Sequence, residues 1–346
     1  MKLASCTAVE IQMERTPLNL VRSYLLADSL NVFRSKSTIV KNAVLKLVEH
    51  ADLLIVDHYE MGQYIPLQMK AKCILHQHNA EYVMWKRFSE LETNLLKKSI
   101  LKIESRRIAL AERKYAELAD LIWAAPNDII ELEKIGIPRD KMKVTYHLGE
   151  DEMLQWPEMQ FDQTECTVLF VGTLTWEANI DGLLWFINNC WVKITNEVPQ
   201  VKFKIVGRNP DERLVKLASS FENIFLLGFV DSLELVYSSS RVFITPLRFG
   251  SGIKVKVLNA LYRGIPLVTT EIGVEGIDAE NGIHLYFTDQ DPIEFGNCVI
   301  ALLENKYIWK QMSEKARILG TKYTWQKLIG EHQKEIDDLL QSESIN

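Results

Sequence analysis

Short apolar runs alternate with segments of helical periodicity through most of the chain. Apolar runs without alternating polar residues are typical of strands in a parallel sheet that is covered on both faces. They predict strands near residues 53–56, 73–75, 121–123, 142–146, 168–171, 201–206, 224–227, 242–245, 265–269 and 284–287. Because helical patterns separate these strands, the order predicts an α/β protein with parallel sheets and helices on both faces.

The chain also contains several segments of helical periodicity. They are predicted at 37–49, 60–69, 83–118, 128–134 and from 291 onward, with a polar tail at 342–346. The longest segment, 83–118, is rich in Lys and Arg but also carries interleaved glutamates. Two interpretations stay open: a solvated helix, which we favour, or a basic amphipathic helix that makes a peripheral contact with an anionic membrane.

The chain length suggests about two domains. Residues 151–166 include Trp156-Pro157, are mostly polar and lack periodicity, so they predict a linker. The first domain then covers 1–150 and the second 167–325, followed by a helix and tail at 326–346. Within the first domain, residues 9–13 predict a strand, but no glycine-rich βα turn follows it.

Composition narrows the class of protein. Apolar residues make up 47% and charged residues 25% of the chain, and the net charge is −6, which argues against a general nucleic-acid partner. Five scattered cysteines without CxxC spacing favour a reducing cytoplasm and argue against a structural zinc site. No apolar run is long enough to span a bilayer and no signal peptide is evident, so we expect a cytoplasmic protein, with the inner face of the membrane as an alternative.

A glycine-rich turn between a strand and a helix is the strongest candidate for a binding site. Gly250-Ser251-Gly252 follows the 242–245 strand, and apolar residues then recur at helical spacing up to Gly264, which fits a C-terminal cap. Backbone N–H groups at such a helix start attract anions, and Lys254 adds a positive charge. The turn therefore predicts a diphosphate site, with a purely structural turn as the alternative.

Further candidates follow the ends of other predicted strands, where ligands of open α/β sheets bind. Gly172 and Thr173 end the first strand of the second domain, and Arg208 ends the next one. In the first domain, His78 follows the 73–75 strand, with His76 two residues before it. The alternative is that these polar residues only close their strands.

Several blocks of the sequence resemble retaining GT-B glycosyltransferases of family 4. The blocks are FVGTLTWEANIDGLLWF (170–186), KIVGRNP (204–210), 226–270 and YTW (323–325), together with HQHNAEY (76–82), 115–137 and 144–152 upstream. The resemblance covers roughly residues 40 to 330. It implies two Rossmann-like domains facing across a cleft, with an incomplete N-terminal domain because the first βα units of the family are not seen here.

The resemblance also implies roles for particular residues. His78 would contact the donor sugar or the acceptor, and Lys254 the diphosphate. The other donor-binding positions would be Gly172, Thr173, Arg208, Phe249, Gly250, Ser251, Gly252, Ile253 and Asn259.

The chain departs from the family pattern at two sites. The two glutamates of the family's E-x7-E pair fall at Ser251 and Asn259, and the Arg and Lys often found near the Gly172 turn are not seen. An asparagine accepts a hydrogen bond more weakly than a carboxylate does. The changes at Ser251 and Asn259 imply lower donor affinity, altered donor choice or lost activity, and the missing Arg and Lys leave Lys254 with more of the electrostatic task.

The implied function is transfer of a hexose from a nucleotide-diphosphate-sugar donor to a glycan or lipid-linked acceptor. By resemblance, the transfer retains the anomeric configuration and needs neither a metal nor a cofactor, and no clustered His/Asp metal set stands out in the sequence. Polysaccharide biosynthesis of the cell envelope is the expected setting. The alternatives are a weakened or inactive GT-B binding or regulatory protein and, less favoured, another GT-B-like sugar enzyme such as an epimerase or a phosphorylase.

Overall fold

The structure is a computed structural model that describes Cys6, residues 8–11 and residues 16–341. Its contacts divide the chain into two units. One unit runs to Thr145 and takes up the chain again at Gly330, and the other spans Tyr146–Ile329. No helix in the described part of the chain is long and apolar enough to cross a bilayer.

The first unit contains a four-stranded parallel sheet in the order β1-β2-β3-β4. The strands are β1 (Leu53–Asp57), β2 (Lys72–His76), β3 (Leu121–Ala124) and β4 (Met142–Val144). Its helices are α1 (Pro17–Leu26), α2 (Leu30–Arg34), α3 (Thr38–Val48), α4 (Glu81–Leu91), α5 (Leu95–Leu118) and α6 (Pro126–Lys134). The four strands and the helices predicted at 37–49 and 128–134 are confirmed. Where a helix is predicted over 60–69, the structure has a short 3₁₀ helix, Tyr59–Tyr64, and no helix over 65–69.

The prediction of one continuous helix over 83–118 is wrong. Glu92 adopts an extended backbone after α4, and the side chain of Asn94 caps α5 by accepting a hydrogen bond from Lys97 N at 3.1 Å. Asparagine favours caps because its short side chain competes for backbone N–H groups. The sequence pattern does not show this break, because apolar periodicity continues on both sides of it.

The interpretation of 83–118 as a solvated helix also needs correction at two glutamates. Glu104 and Glu112 on α5 are buried. Glu104 pairs with Arg107, with 2.7 Å between Oε2 and Nη1, and Glu112 accepts a hydrogen bond from Glu81 N at 2.7 Å. Burial raises the pKa of the Glu112 carboxyl well above its usual range. These carboxylates hold neighbouring segments to α5 rather than facing solvent.

The second unit contains a six-stranded parallel sheet in the order β10-β9-β8-β5-β6-β7. The strands are β5 (Glu165–Val171), β6 (Lys202–Val206), β7 (Ile224–Gly228), β8 (Ser240–Thr245), β9 (Leu267–Thr270) and β10 (Tyr286–Thr288). All six match predicted strands. From β5 the strands β6 and β7 follow on one side of the sheet, and β8, β9 and β10 follow on the other. The carboxyl ends of the neighbouring strands β5 and β8 therefore form a topological switch point.

The helices of this unit cover both faces of the sheet. They are α7 (Glu177–Phe186), α8 (Val192–Glu197), α9 (Glu212–Ala218), α10 (Leu233–Ser239), α11 (Val255–Arg263), α12 (Glu271–Val274), α13 (Pro292–Glu304) and α14 (Lys306–Gly320). The central strands are buried on both sides, and their apolar side chains form the core with α7, the π-helical turn Ile187–Trp191 and α13. The last helix, α15 (Trp325–Gln341), begins in this unit and continues into the first.

Three predictions near the domain ends have mixed outcomes. Residues 9–11 of the predicted 9–13 strand have no regular structure, and residues 12 and 13 lie outside the described residues, as does the tail at 342–346. The segment predicted as a linker forms short 3₁₀ helices at Asp151–Gln155 and Phe161–Gln163 and already contains the start of β5. The predicted domain boundaries otherwise stay predictions.

Candidate functional site

An open cavity of about 850 Å³ lies at the carboxyl ends of β5, β6 and β7. It contains three of the predicted donor-binding residues, namely Gly172, Thr173 and Arg208. The other residues around it are Glu150, Trp156, Val171, Thr175, Val206, Gly207, Asn209 and the segment 228–234. The sequence-based expectation that strand ends would gather these residues is met for this part of the sheet.

Close backbone contacts shape the floor of the cavity. Gly172 N donates to Val206 O at 3.0 Å, and Gly207 N donates to Gly228 O at 3.0 Å. A Cβ on Gly207 would lie 2.1 Å from the carbonyl oxygen of Gly172. Only glycine therefore allows the two strand ends to approach this closely, which leaves their backbone open to the cavity.

The rim of the cavity carries an aromatic ring and a cation. The guanidinium carbon of Arg208 lies 4.1 Å from the ring centroid of Phe229, in a cation–π arrangement. Arg208 is exposed, and 62% of Phe229 is exposed, which is unusual for a phenylalanine. The pair offers a flat face and a positive charge to a ligand; sequence reasoning identified Arg208 but missed Phe229.

The glycine turn after β8 has a backbone conformation that favours glycine. Gly250 and Gly252 have φ values of 148° and 71°, which residues with side chains rarely adopt. The helix that follows, α11, ends at Gly264 with φ 72°, and this confirms the predicted cap. The side chains of Phe249 and Ile253 are buried, and their contact with the donor stays a prediction.

The ammonium group of Lys254 is turned back onto its own loop. Lys254 is the N-cap of α11 and is only 5% exposed. Its Nζ donates to Ser251 O at 3.1 Å and to Gly252 O, and it lies 3.7 Å from a carboxylate oxygen of Glu275. The predicted role of Lys254 at a diphosphate stays a prediction, but its charge already stabilises the turn.

Ser251 and Asn259, which occupy the positions of the family's two glutamates, differ in their surroundings. The structure gives the buried Ser251 Oγ no hydrogen-bond partner among the described residues. Asn259 Oδ1 accepts a hydrogen bond from Glu150 N at 2.9 Å, and a Cβ on Gly149 would lie 1.9 Å from the same oxygen. Asn259 therefore holds the segment before residue 151, while its expected contact with a ribose stays a prediction.

A second lysine of α11, which sequence reasoning did not single out, lies beside the Gly172 turn. Lys256 donates through Nζ to Asn179 Oδ1, and Asn179 Nδ2 donates to Thr173 O at 2.8 Å. Burial, and secondarily the charge of Lys254, lowers the pKa of Lys256 to about 7. The only sequence signal was a lysine in the first turn of the helix after the glycine turn, and helical spacing alone does not show which way it points.

A cluster of histidines lies in the first unit, where β1 and β2 end side by side. Asp57 Oδ1 lies 2.8 Å from His76 Nδ1 and 2.6 Å from His78 Nε2. Although desolvation opposes it, the hydrogen bonds and charges of His78 and His76 hold the pKa of Asp57 below its usual range. The three ligand atoms lie within 4.8 Å of one another, so the expectation that no His/Asp set stands out needs correction. Parallel register brings Asp57 opposite His76, which linear spacing could not reveal.

Two more histidines of the first unit, His58 and His332, are partly buried. His58 Nδ1 lies 2.9 Å from Glu60 Oε2, and despite desolvation this carboxylate raises the pKa of His58. His332 on α15 stacks on Trp123 with ring centroids 3.9 Å apart. Burial, with a smaller effect from His76, lowers the pKa of His332 to about 4, so this imidazole is neutral near pH 7.

Comparison with known proteins bears on both units. Residues 165–305 match the family model described as Glycosyl transferases group 1. The chain is 26% identical over 239 residues to an "Uncharacterized 44.6 kDa protein in cps region" of Klebsiella pneumoniae, and 28% identical over 174 residues to an "Uncharacterized glycosyltransferase" of Haemophilus influenzae. These matches cover 67% and 48% of this chain, but only 60% and 47% of the relatives' own lengths.

Solved structures with a similar fold extend over most of the chain. Anabaena HepE in complex with UDP-glucose has a TM-score of 0.68 at 12% identity and matches 87% of this chain and 82% of its own. Sucrose-phosphate synthase from Thermosynechococcus elongatus has a TM-score of 0.66 at 13% identity, covering 88% and 80%. TarM has a TM-score of 0.65 at 14% identity, covering 87% and 57%. The chain therefore has the fold of the GT-B glycosyltransferases, with Rossmann-like domains, and its residues 165–305 match a family of glycosyl transferases.

Proposed function

We propose that the protein transfers a hexose from a nucleotide-diphosphate-sugar donor to a glycan or lipid-linked acceptor, with retention and without a metal ion. The observation that carries the proposal is the cavity at the ends of β5, β6 and β7. Apart from Glu150 and Trp156, its lining residues lie within the segment that matches the glycosyl transferase family. HepE, which shares the fold, was solved with UDP-glucose, and this supports a nucleotide sugar as the donor.

The donor would occupy the second unit in two parts. The nucleoside would bind in the cavity, where Phe229 and Arg208 supply a stacking face and a cation. The diphosphate would lie toward the backbone of the Gly172 turn and of Gly250-Ser251-Gly252, where N–H groups can bind phosphate oxygens. Ser251 Oγ, which has no partner among the described residues, would donate a hydrogen bond to the same group.

The chemistry that this arrangement supports is stabilisation of the leaving group. When the bond between the anomeric carbon and the diphosphate oxygen breaks, negative charge grows on the diphosphate. Fixed N–H groups and nearby ammonium groups lower the barrier by binding that charge more strongly in the transition state than in the ground state. In the first unit, His78 would contact the sugar or the acceptor, as the resemblance implies.

The acceptor is proposed from a relative and from general chemistry. The Klebsiella pneumoniae relative is named for a cps region, which supports polysaccharide biosynthesis of the cell envelope as the setting. A peripheral contact with the inner face of the membrane would suit a lipid-linked acceptor. It would draw on the basic residues of α5, such as the exposed Lys102 and Arg106.

Donor binding is the direct test. Calorimetric titration with UDP, GDP and their sugars should give binding to one base class, and Phe229→Ala should weaken it by about tenfold because a stacking face is lost. Phe225→Ala is the matched control, since Phe225 is a partly exposed phenylalanine of β7 that does not line the cavity, whereas Phe229 follows the strand and does. Absence of binding to every nucleotide sugar would rule out this function.

A second candidate function is a binding or regulatory protein that does not turn over. The observation in its favour is that Asn259 replaces a glutamate of the family pattern and that its Oδ1 already holds Glu150 N. Transfer or hydrolysis of the bound sugar nucleotide, measured by release of the nucleoside diphosphate, distinguishes the two. Turnover that disappears in Lys254→Ala would reject the regulatory function.

A further inference from the structure

Lys256 connects two parts of the second unit that are far apart in sequence. It lies in the first turn of α11, yet its Nζ donates to the side chain of Asn179 in the first turn of α7. Asn179 in turn holds the carbonyl of Thr173 at 2.8 Å. The ammonium group therefore lies beside the turn that joins β5 to α7, residues 172–176.

The surroundings of this ammonium group are aromatic rather than acidic. Its Nζ lies 4.8 Å from the ring centroid of Phe170 and 5.6 Å from that of Trp176. Among the described residues Lys256 has no carboxylate partner, since it takes part in none of the ion pairs. A cation that is removed from water without a counter-charge destabilises the free protein.

The charged groups on the neighbouring elements are already paired. On α7, Glu177 pairs with Arg213 and Asp181 lies 3.5 Å from Arg248. Lys254, on the same helix as Lys256, lies 3.7 Å from Glu275 of the segment after α12. Among the described residues no ion pair includes Lys256, and a ligand anion at the 172–176 turn would neutralise its charge.

We propose that Lys256 is the residue that binds the diphosphate of the donor at the β5–α7 turn. The inference rests on the proposed function and names the cation of the same site. In the free protein Asn179 Oδ1 accepts a hydrogen bond from the Lys256 ammonium group. When the diphosphate binds, the remaining N–H groups of Lys256 donate to phosphate oxygens. Lys256 thereby supplies to this turn the charge that the turn itself lacks, because 172–176 contains no Lys or Arg.

Proton uptake gives a readout that a structural lysine would not change. Because the pKa of Lys256 is lowered to about 7, the group is largely neutral at about pH 8 in the free protein. A bound diphosphate raises that pKa, so binding takes up a proton at a pH where the phosphate groups themselves are fully ionised. Titration in buffers of different ionisation enthalpy measures this uptake.

The experiment compares UDP and GDP binding to the wild type, Lys256→Met, Lys256→Arg and the control Lys216→Met by calorimetry. Lys216 is an exposed lysine of α9 outside the cavity. We expect Lys256→Met to weaken the tighter diphosphate about 10- to 100-fold and to abolish proton uptake. Lys256→Arg should retain most of the affinity but take up no proton, because arginine is always charged. Lys216→Met should match the wild type.

The outcomes separate this inference from the proposed function. If the wild type binds a nucleoside diphosphate but Lys256→Met binds it equally well, the inference is wrong and the proposed function stands. Proton uptake that persists in Lys256→Arg overturns the inference as well, and this variant serves if Lys256→Met does not fold. If the wild type binds neither UDP nor GDP, both proposals fail.

Discussion

Two turns of the second unit, the β5–α7 turn at 172–176 and the glycine turn at 250–252, differ in how their charges are balanced. The glycine turn is followed directly by Lys254, whose ammonium group is held by the carbonyls of Ser251 and Gly252 and by Glu275. The β5–α7 turn contains no cation, but Lys256 reaches it from α11. One turn is compensated internally, and the other is next to a charge without a partner among the described carboxylates.

The difference follows from helix geometry. Residues two positions apart at the start of a helix do not face each other, so Lys254 and Lys256 point toward different neighbours. Lys254 also has an extended backbone at the N-cap, whereas Lys256 is helical. The cation that lies next to a glycine turn in sequence is therefore not the one best placed for a ligand anion.

The largest expected effect comes from breaking the backbone contact behind the β5–α7 turn. Gly207→Ala would place a Cβ 2.1 Å from Gly172 O, so it should destabilise the protein by about 1–3 kcal/mol and close part of the cavity. Chemical denaturation measures the loss. Gly330→Ala is the control, because its Cβ meets nothing within 4 Å and its helix should gain up to about 1 kcal/mol. Equal stability of the two variants would contradict the close approach of the strand ends.

A smaller effect should follow from giving the β5–α7 turn its own counter-charge. Asn179→Asp places a carboxylate next to Lys256, so the pKa of Lys256 should rise and nucleoside diphosphate affinity should fall by about tenfold. Calorimetry and NMR titration of the lysine side chain measure the two changes. Asn179→Ala separates charge from structure, because it loses the bond to Thr173 without adding a carboxylate. An Asp variant that binds the diphosphate more tightly would show that Lys256 does not face it.

The pH dependence of stability should report on the desolvated ammonium group of Lys256. A lysine with a lowered pKa in the folded state binds fewer protons than in the unfolded chain between about pH 7 and 10, so its contribution to stability rises with pH in that window. Lys256→Met should therefore raise Tm more at about pH 6 than at about pH 9, because burying the charged form is most costly below the folded pKa. A difference in Tm that is independent of pH would contradict a desolvated ammonium group.

The smallest effect is expected at the glycine turn after β8. Glu275→Gln removes the carboxylate that lies 3.7 Å from the ammonium group of Lys254. Two carbonyl acceptors remain, so stability should fall by at most about 1 kcal/mol and diphosphate affinity should change less than about threefold. A large gain in affinity would show instead that Lys254 is freed to bind the diphosphate and that the two turns act alike.

Much of the architecture could be predicted from the sequence because the apolar runs of both sheets are short, continuous and bounded by turn residues. The pattern located all ten strands, the glycine turn after β8 and the cap at Gly264. It failed between α4 and α5, where the apolar periodicity hides a cap at Asn94. It also treated Glu104 and Glu112 as solvated, because sequence does not show which charged side chains find buried partners.

The sequence by itself determined that this is a parallel α/β protein whose candidate binding residues follow the carboxyl ends of its strands. Local propensity and periodicity are sufficient for that, since they act over a few residues. Only the tertiary structure decided that Lys256 and Asn179, or Asp57, His76 and His78, lie together. Those contacts depend on strand register and on the direction in which each side chain leaves its helix, and neither is encoded in the spacing of residues along the chain.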